Sequence, residues 1–403
     1  MERDFLDGET LQRSTKVLSY GLLAMVVTHI LIHSTGNIRS TLFPLLKEEF
    51  SLTNQQIGLI AAIPPLCQAL LSVPVGFLSD RFGAKKLIAL SILLAAAGSL
   101  LAGFTANPLM YILATTLLTL NATIYHPPSH AYTANLADPK SRARALGFMN
   151  AGGTFGMSLG PLSITILMGM LALQWRQIYL FWVVPILFGL VILYFVRTEL
   201  PQERRRETPD HGSEPGQLSK FLSTGFVLFL ASSGVRRFGG SMTAGFLSIW
   251  LVESQGWKVT DIGLMFGIAS FLGVIGSPLG GEFAYRFGEK RWAVTSLLAS
   301  YCCFVAAITL KGYTPFMFFY LAQRFFGTMA MAANSAITAS LSPPEQRGFG
   351  FALSFVPPSI AGAIAPIAAA YIADASSLYY IFVAAAAVYF IGLGVFQFGV
   401  KMK

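Results

Sequence analysis

Twelve apolar runs, each close to the ~20 residues that one bilayer crossing needs, dominate this sequence. They begin near Val17, Gln55, Lys86, Pro108, Arg144, Gln177, Phe221, Asp261, Trp292, Pro315, Gly348 and Ser377. In lipid, backbone polar groups must be satisfied within the protein itself. A chain with so many spanning runs is therefore expected to fold as an all-α membrane protein of twelve transmembrane helices. The charges agree: only 12% of the 403 residues are charged, against about 25% in a soluble domain. That excludes a cytosolic enzyme, a disordered chain and a secreted disulfide scaffold. Cys67, Cys302 and Cys303 all sit inside apolar runs and show neither a disulfide framework nor zinc-ligand spacing. No cofactor is expected. The N-terminus is charged (Glu2, Arg3, Asp4, Asp7) and leads into a full-length span, which argues against a cleavable signal peptide.

A formal net charge of +9 would suggest nucleic acid in a soluble protein. Here the basic residues report topology. Of the 28 Lys and Arg, twenty fall at the termini or in even-numbered loops, and four (Lys47, Arg176, Lys258, Lys311) in odd-numbered loops. The positive-inside rule then puts both termini in the cytoplasm of a multi-pass plasma-membrane protein. The partners expected are the lipid bilayer and a small molecule, not nucleic acid, and a monomer suffices. The longest loop, 198–219, is rich in Pro, Gly and Arg and reads as a cytoplasmic linker. It divides residues 1–197 from residues 220–403, six spans each.

The two halves repeat. At an offset of 205 residues Gly58 falls on Gly263, and Gly76, Arg81, Gly83 and Lys85 fall on Gly281, Arg286, Gly288 and Lys290. Arg142 falls on Arg347 and Pro161 on Pro366. Parallel repeats of this kind imply a substrate site between the halves, near the bilayer midplane.

Between spans 2 and 3 the chain reads Gly76-Phe77-Leu78-Ser79-Asp80-Arg81-Phe82-Gly83-Ala84-Lys85-Lys86. This resembles the loop signature of the major facilitator superfamily. The resemblance covers essentially the whole chain and implies two pseudo-symmetric six-helix halves that rock about a central site. It implies a conformational gate at Gly76, Asp80, Arg81 and Gly83, in which Asp80 latches one state with Arg142 as partner. The second copy keeps Arg286 and Gly288 but has Tyr285 in place of Asp, so the latch is expected on one side only. In span 5, Gly152, Gly156 and Gly160 fall on one helical stripe ahead of Pro161, a surface that admits a close neighbour helix. It is similar to the span-5 motif of drug-exporting facilitators. The stretch from Tyr125 to Pro161 resembles the fosmidomycin-resistance exporters, whose namesake substrate is a phosphonate. The span-4 arginine of proton-coupled facilitators is missing from Leu117-Leu118-Thr119-Leu120.

Charges inside a span ask for a partner or a function, since each costs roughly 2.5–3.5 kcal/mol at the bilayer centre. Arg39, His29 and His33 lie in span 1, Arg236 and Arg237 in span 7, Arg324 in span 10, and His126 and His130 in span 4. Spans 1, 4, 7 and 10 are the cavity-lining helices of the resembled family. No matching carboxylates lie within the spans, so the expected counter-ion is the substrate. Arginine suits bidentate binding of carboxylate, phosphate or phosphonate. Arg236 or Arg237 with Arg324 is the expected anion clamp, and the other of the adjacent pair is expected to hold backbone carbonyls. Arg39 reads either as an outer-gate residue or as a side chain reaching the interface. His29, His33, Asn121, Tyr125 and His126 complete the expected binding surface, the histidines as proton carriers or as neutral hydrogen-bonders. His126 and His130 have metal-ligand spacing but no third ligand nearby in sequence, so no metal is expected. Pro127-Pro128 is expected to kink or unwind span 4. Adjacent Arg236 and Arg237 cannot both face one cavity unless span 7 is broken, and Gly239-Gly240 offers a place for that break. The function expected is secondary transport of a small organic anion by alternating access, coupled to protons or to a counter-transported anion. The alternative is efflux of amphipathic drugs along phenylalanine-rich walls. An enzyme is not expected, for the chain shows no nucleophile–base pair and no phosphate loop.

Overall fold

The structure is a computed structural model that describes residues 20–136, 142–196, 223–342 and 347–401. Within its helices, the side chains of residues 72–73, 75–81, 142–143, 347–349 and 351–352 are excepted. The 198–219 linker lies outside the described residues. Among the described residues the chain is helical throughout, and its helices build twelve spans. The first half comprises α1 (Tyr20–His33), α2 (Ile38–Glu49), α3 (Asn54–Phe82), α4 (Ala84–Gly103), α5 (Pro108–Leu136), α6 (Arg142–Ser163) and α7 (Trp175–Tyr194). The second comprises α8 (Thr224–Gln255), α9 (Val259–Phe287), α10 (Glu289–Thr309), α11 (Tyr313–Leu341), α12 (Arg347–Ala375) and α13 (Leu378–Gly394). Each span begins within a few residues of its expected start.

Nine of these segments are long and apolar enough to cross a membrane by composition alone. Helices α8 and α11, which carry Arg236, Arg237 and Arg324, fall short. A helix that turns polar residues toward a protein interior need not be apolar all round.

Local sequence sets the ends. Thr53 caps α3 in a reciprocal box: its hydroxyl accepts from Gln56 N (3.3 Å) and its own N–H donates to Gln56 Oε1 (2.9 Å). Both α3 and α9 stop at a glycine with positive φ, Gly83 (+81°) and Gly288 (+88°). These are equivalent positions of the repeat, and only glycine adopts such backbone without penalty. Just beyond, Lys85 donates to Tyr194 O and Val196 O (3.0 and 2.7 Å) and Lys290 to Gln397 O (2.8 Å). Each lysine thus satisfies carbonyls left open at the end of its own half's last helix.

Span 4 is not unwound at Pro127-Pro128 and span 7 does not break at Gly239-Gly240, but one unforeseen break occurs. Helix α5 runs unbroken through Pro127 and Pro128, and α8 through Gly239 and Gly240. Gly239 instead admits α13, whose Ala385 O lies 3.0 Å from where a Cβ would sit. The first span is the divided one. Helix α1 ends at His33 and α2 starts at Ile38, with Ser34-Thr35-Gly36-Asn37 forming a turn. Ser and Asn compete with the backbone for hydrogen bonds, and Gly has little helix preference. Ser34 Oγ takes Leu31 O at 2.7 Å. Such a break is tolerated at membrane depth only when protein surrounds it, and Ser34 and Thr35 are fully buried.

The halves meet through α3 against α12 and α6 against α9. The repeat makes these contacts reciprocal. A Cβ at Gly58 would lie 2.9 Å from Pro366 O, and one at Gly263 would lie 2.7 Å from Pro161 O. Around them, at the end of the bundle away from Gly83 and Gly288, polar ties cross between halves. Lys47 pairs with Glu253 at 2.8 Å. Asn54 and Gln55 donate to Asp374 (2.8 and 3.0 Å). Ser248 donates to Ser40 O (2.6 Å), and Thr165 to Thr260 O (2.8 Å). This end is closed.

Candidate functional site

The glycine stripe of α6 positions the histidines. A Cβ at Gly152 would press on Val26, one at Gly156 on the Ile30 carbonyl, and one at Gly160 would sit 2.5 Å from Ser34 O. The stripe therefore seats α1 against α6, within the first half. Gly153 faces the His29 ring itself, whose atoms lie 2.5 Å from a notional Cβ. His29 and His33 are one turn apart on α1 and both are buried. Tyr125, wholly buried on α5, fixes that helix against α1. Its hydroxyl donates to Met25 O (2.9 Å) and meets Thr28 Oγ1 at 2.8 Å.

This packing brings His126 against the α1 pair. Ring centroids are 4.9 Å apart for His29–His33, 5.2 Å for His29–His126 and 5.3 Å for His33–His126. No third ligand lies near His126 and His130 in sequence, but helix packing brings two imidazoles of α1 to His126. His130 stands aside. Its Nδ1 contacts His126 O at 2.7 Å and its Nε2 contacts Asn150 Oδ1 at 3.2 Å.

The arginines divide between packing and open space. Arg236 is buried: Nε donates to Ser232 O (3.2 Å), Nη2 donates to Ser233 Oγ (3.1 Å), and the guanidinium lies 4.9 Å over the Phe396 ring. Arg237 and Arg324 are both exposed. Though on different helices, they lie within electrostatic reach of one another, with Tyr389 and Tyr320 beside them. The two guanidinium groups are thus exposed neighbours, one from each helix. Neither forms an ion pair with a carboxylate among the described residues; the ion pairs there are Lys47–Glu253, Arg176–Glu49 and Arg286–Glu282.

The remaining expected residues are placed as follows. Arg39 sits on α2 near the Tyr111 and Tyr179 hydroxyls, which join one another at 2.9 Å, and its buried Nη1 has no hydrogen-bond partner. Asn121 is wholly buried, its Nδ2 donating to Leu118 O at 2.7 Å. Arg286 is exposed and pairs along its own helix with Glu282. The side chains of Asp80, Arg81 and Arg142, and Gly76 with them, lie outside the described residues. The sequence reading passed over Tyr320 and Tyr389 beside the arginine pair. Glu253 and Asp374 likewise find their partners only across the halves. A recess of about 610 Å³ lined by Trp250, Trp257, Phe316 and Tyr379 lies inside the second half, apart from both the histidines and the arginine pair.

A sequence model described as Major Facilitator Superfamily matches residues 25–236 and 229–401. The chain is 25% identical over 276 residues to the "Probable 4-methylmuconolactone transporter" of Cupriavidus pinatubonensis, a match covering 67% of this chain and 63% of that relative. It is 24% identical over 277 residues to the fosmidomycin resistance protein of Escherichia coli, covering 68% and 67%. Its fold is similar to the crystal structure of a bacterial homolog of the human lysosomal transporter Spinster in an inward-facing, occupied conformation. There the TM-score is 0.80 at 17% identity, covering 94% of this chain and 96% of that one.

Proposed function

Because this chain belongs to the major facilitator superfamily, we propose that it is a secondary transporter of a small organic anion, carried by rocking of one half against the other. The observation that carries the reading is the exposed pair Arg237 and Arg324, two neighbouring cations that pair with no carboxylate among the described residues. Like charges held together in a membrane interior repel one another, and an anion between them turns that repulsion into attraction. Two guanidinium forks match the oxygens of a carboxylate, phosphate or phosphonate. The tyrosines beside them offer hydroxyl donors to the same oxygens. Arg236, Asn121 and Tyr125 act in this scheme by positioning helices rather than by touching substrate. Relatives named for 4-methylmuconolactone transport and for resistance to fosmidomycin, a phosphonate, lend support. The basic-residue bias favours a plasma-membrane orientation with both termini in the cytoplasm.

The test is a thermal-shift screen of the purified protein against carboxylates, phosphates, phosphonates and cationic drugs. An anion is expected to raise the melting temperature. Arg237→Gln and Arg324→Gln are each expected to weaken its binding by the ~1.5–3 kcal/mol of a charge-assisted contact, about ten- to a hundred-fold or more. If anions stabilise both variants as well as the parent, or if only cationic drugs stabilise the parent, the anion reading is wrong.

A further inference from the structure

We propose that His29, His33 and His126 form a binding site for a divalent first-row transition metal, zinc being the type ion, inside the first half. The inference is independent of the anion reading. Two observations carry it. First, the three imidazoles converge from two helices, with ligand atoms all within 4.8 Å of one another. A tetrahedral ion with Zn–N bonds of 2.0–2.1 Å needs its nitrogens about 3.4 Å apart. Imidazole rotation about χ1 and χ2 closes a gap of that size without moving a helix.

Second, His29 is already arranged as a metal-bound histidine is. Its Nδ1 lies 2.7 Å from Met149 O. A carbonyl only accepts, so Nδ1 carries the proton and Nε2 holds a bare lone pair. That Nε2 is buried and has no hydrogen-bond partner. A buried acceptor left without a donor costs roughly 1–3 kcal/mol, and a metal ion satisfies it. Anchoring of the second ring nitrogen on a backbone carbonyl is the usual means of fixing a ligand's tautomer and direction. The notional clash of a Cβ at Gly153 with this ring shows how tightly it is held.

The neighbours bound the stoichiometry and the choice of ion. His130 has both ring nitrogens engaged, and the Tyr125 hydroxyl is engaged with Met25 and Thr28. Neither offers a fourth ligand. The site thus has three protein ligands and one open position, which water or an anionic oxygen fills. His126, the least buried of the trio, marks the side from which it is reached. Neutral imidazoles without carboxylate or thiolate favour zinc, copper, nickel or cobalt over magnesium and calcium.

The chain has five histidines, so the test is compact. The full-length protein, purified without a histidine tag and treated with chelator, is titrated with Zn²⁺ by calorimetry. One equivalent is expected to bind, with Mg²⁺ and Ca²⁺ failing to compete. His33→Ala and His126→Ala are each expected to lower affinity about 100-fold or more, past the range typical of outer-shell partners. His130→Ala and His211→Ala are expected to leave it within about threefold, the ordinary scatter of a neutral change. X-ray absorption on the zinc-loaded parent reads the ligands directly should a variant fail to fold, and three imidazole nitrogens are expected. Absence of stoichiometric zinc binding, retention of affinity in both His33→Ala and His126→Ala, or fewer than three imidazoles on the metal would overturn the proposal.

Discussion

Replacing Arg236 with methionine removes a guanidinium that donates to Ser232 O and Ser233 Oγ and lies over Phe396. Methionine keeps much of the stem's packing but returns Ser233 to the solvent or to another partner. The expected outcome is lower thermal stability, by about 1–3 kcal/mol for hydrogen bonds to a charged group, with unchanged anion affinity in the remaining folded protein. Thermal unfolding beside ligand titration separates the two effects. Arg237→Gln is expected to do the reverse. The sequence showed two adjacent arginines and the geometric reason that both cannot face one cavity. It did not say which of them does. Arg236 is the buried one because α13 and the π-helical turn Val395–Gly399 after it cover that side of α8, and nothing in the local sequence of α8 encodes this. The histidine trio was hidden for the same reason. His29 and His33 are visible as a pair one turn apart, but His126 joins them only through the seating of α5 and α1.

At the scale of one helix against another, the stripe of α6 makes a sharper demand than composition suggests. A side chain at Gly156 would run into the Ile30 carbonyl, and backbone cannot swing aside as a flexible side chain does. Gly156→Val is expected to cost about 1–3 kcal/mol as overpacking, seen as a lower melting temperature and a poorer yield of monodisperse protein. Gly147, on the same helix, has open space where a Cβ would sit, and Gly147→Ala is expected to be neutral or slightly stabilising. The stripe, the spans and their starts were legible because periodicity and apolar length are local properties. The breaks were not. Pro127-Pro128 and Gly239-Gly240 carry strong helix-breaking residues, yet both helices continue, held by neighbours on either side. Ser34-Thr35-Gly36-Asn37 carries weaker breakers, and the chain yields there with its backbone re-paired inside the turn, Gly36 N to His33 O at 3.0 Å.

Across the whole molecule, the closed end is held by few polar ties, and those of Lys47, Asn54 and Gln55 are exposed. Lys47–Glu253 is a partly exposed pair, and such pairs are worth about 0.2–1 kcal/mol. Its loss is expected to shift the balance between closed and open forms by about fivefold at most. Removing the acceptor for both Asn54 and Gln55 with Asp374→Ala adds to that shift. Spin-label distances across this end, measured for Lys47→Ala and Asp374→Ala alone and together, are expected to show a growing population of longer separations. At the centre of the same end stand Gly58 on Pro366 O and Gly263 on Pro161 O. Each half contributes a hollow and the ridge that fills the other's hollow. An interface of this kind is self-complementary in the sense that governs two-fold dimers: two copies of one half present the same matching surfaces as the two different halves. Correct pairing within a crowded membrane then owes much to the covalent connection between the halves, which raises the effective concentration of the right partner over that of a stranger's half. The weakly attractive, reciprocal surface that lets one chain rock is also one on which halves of two chains compete to meet.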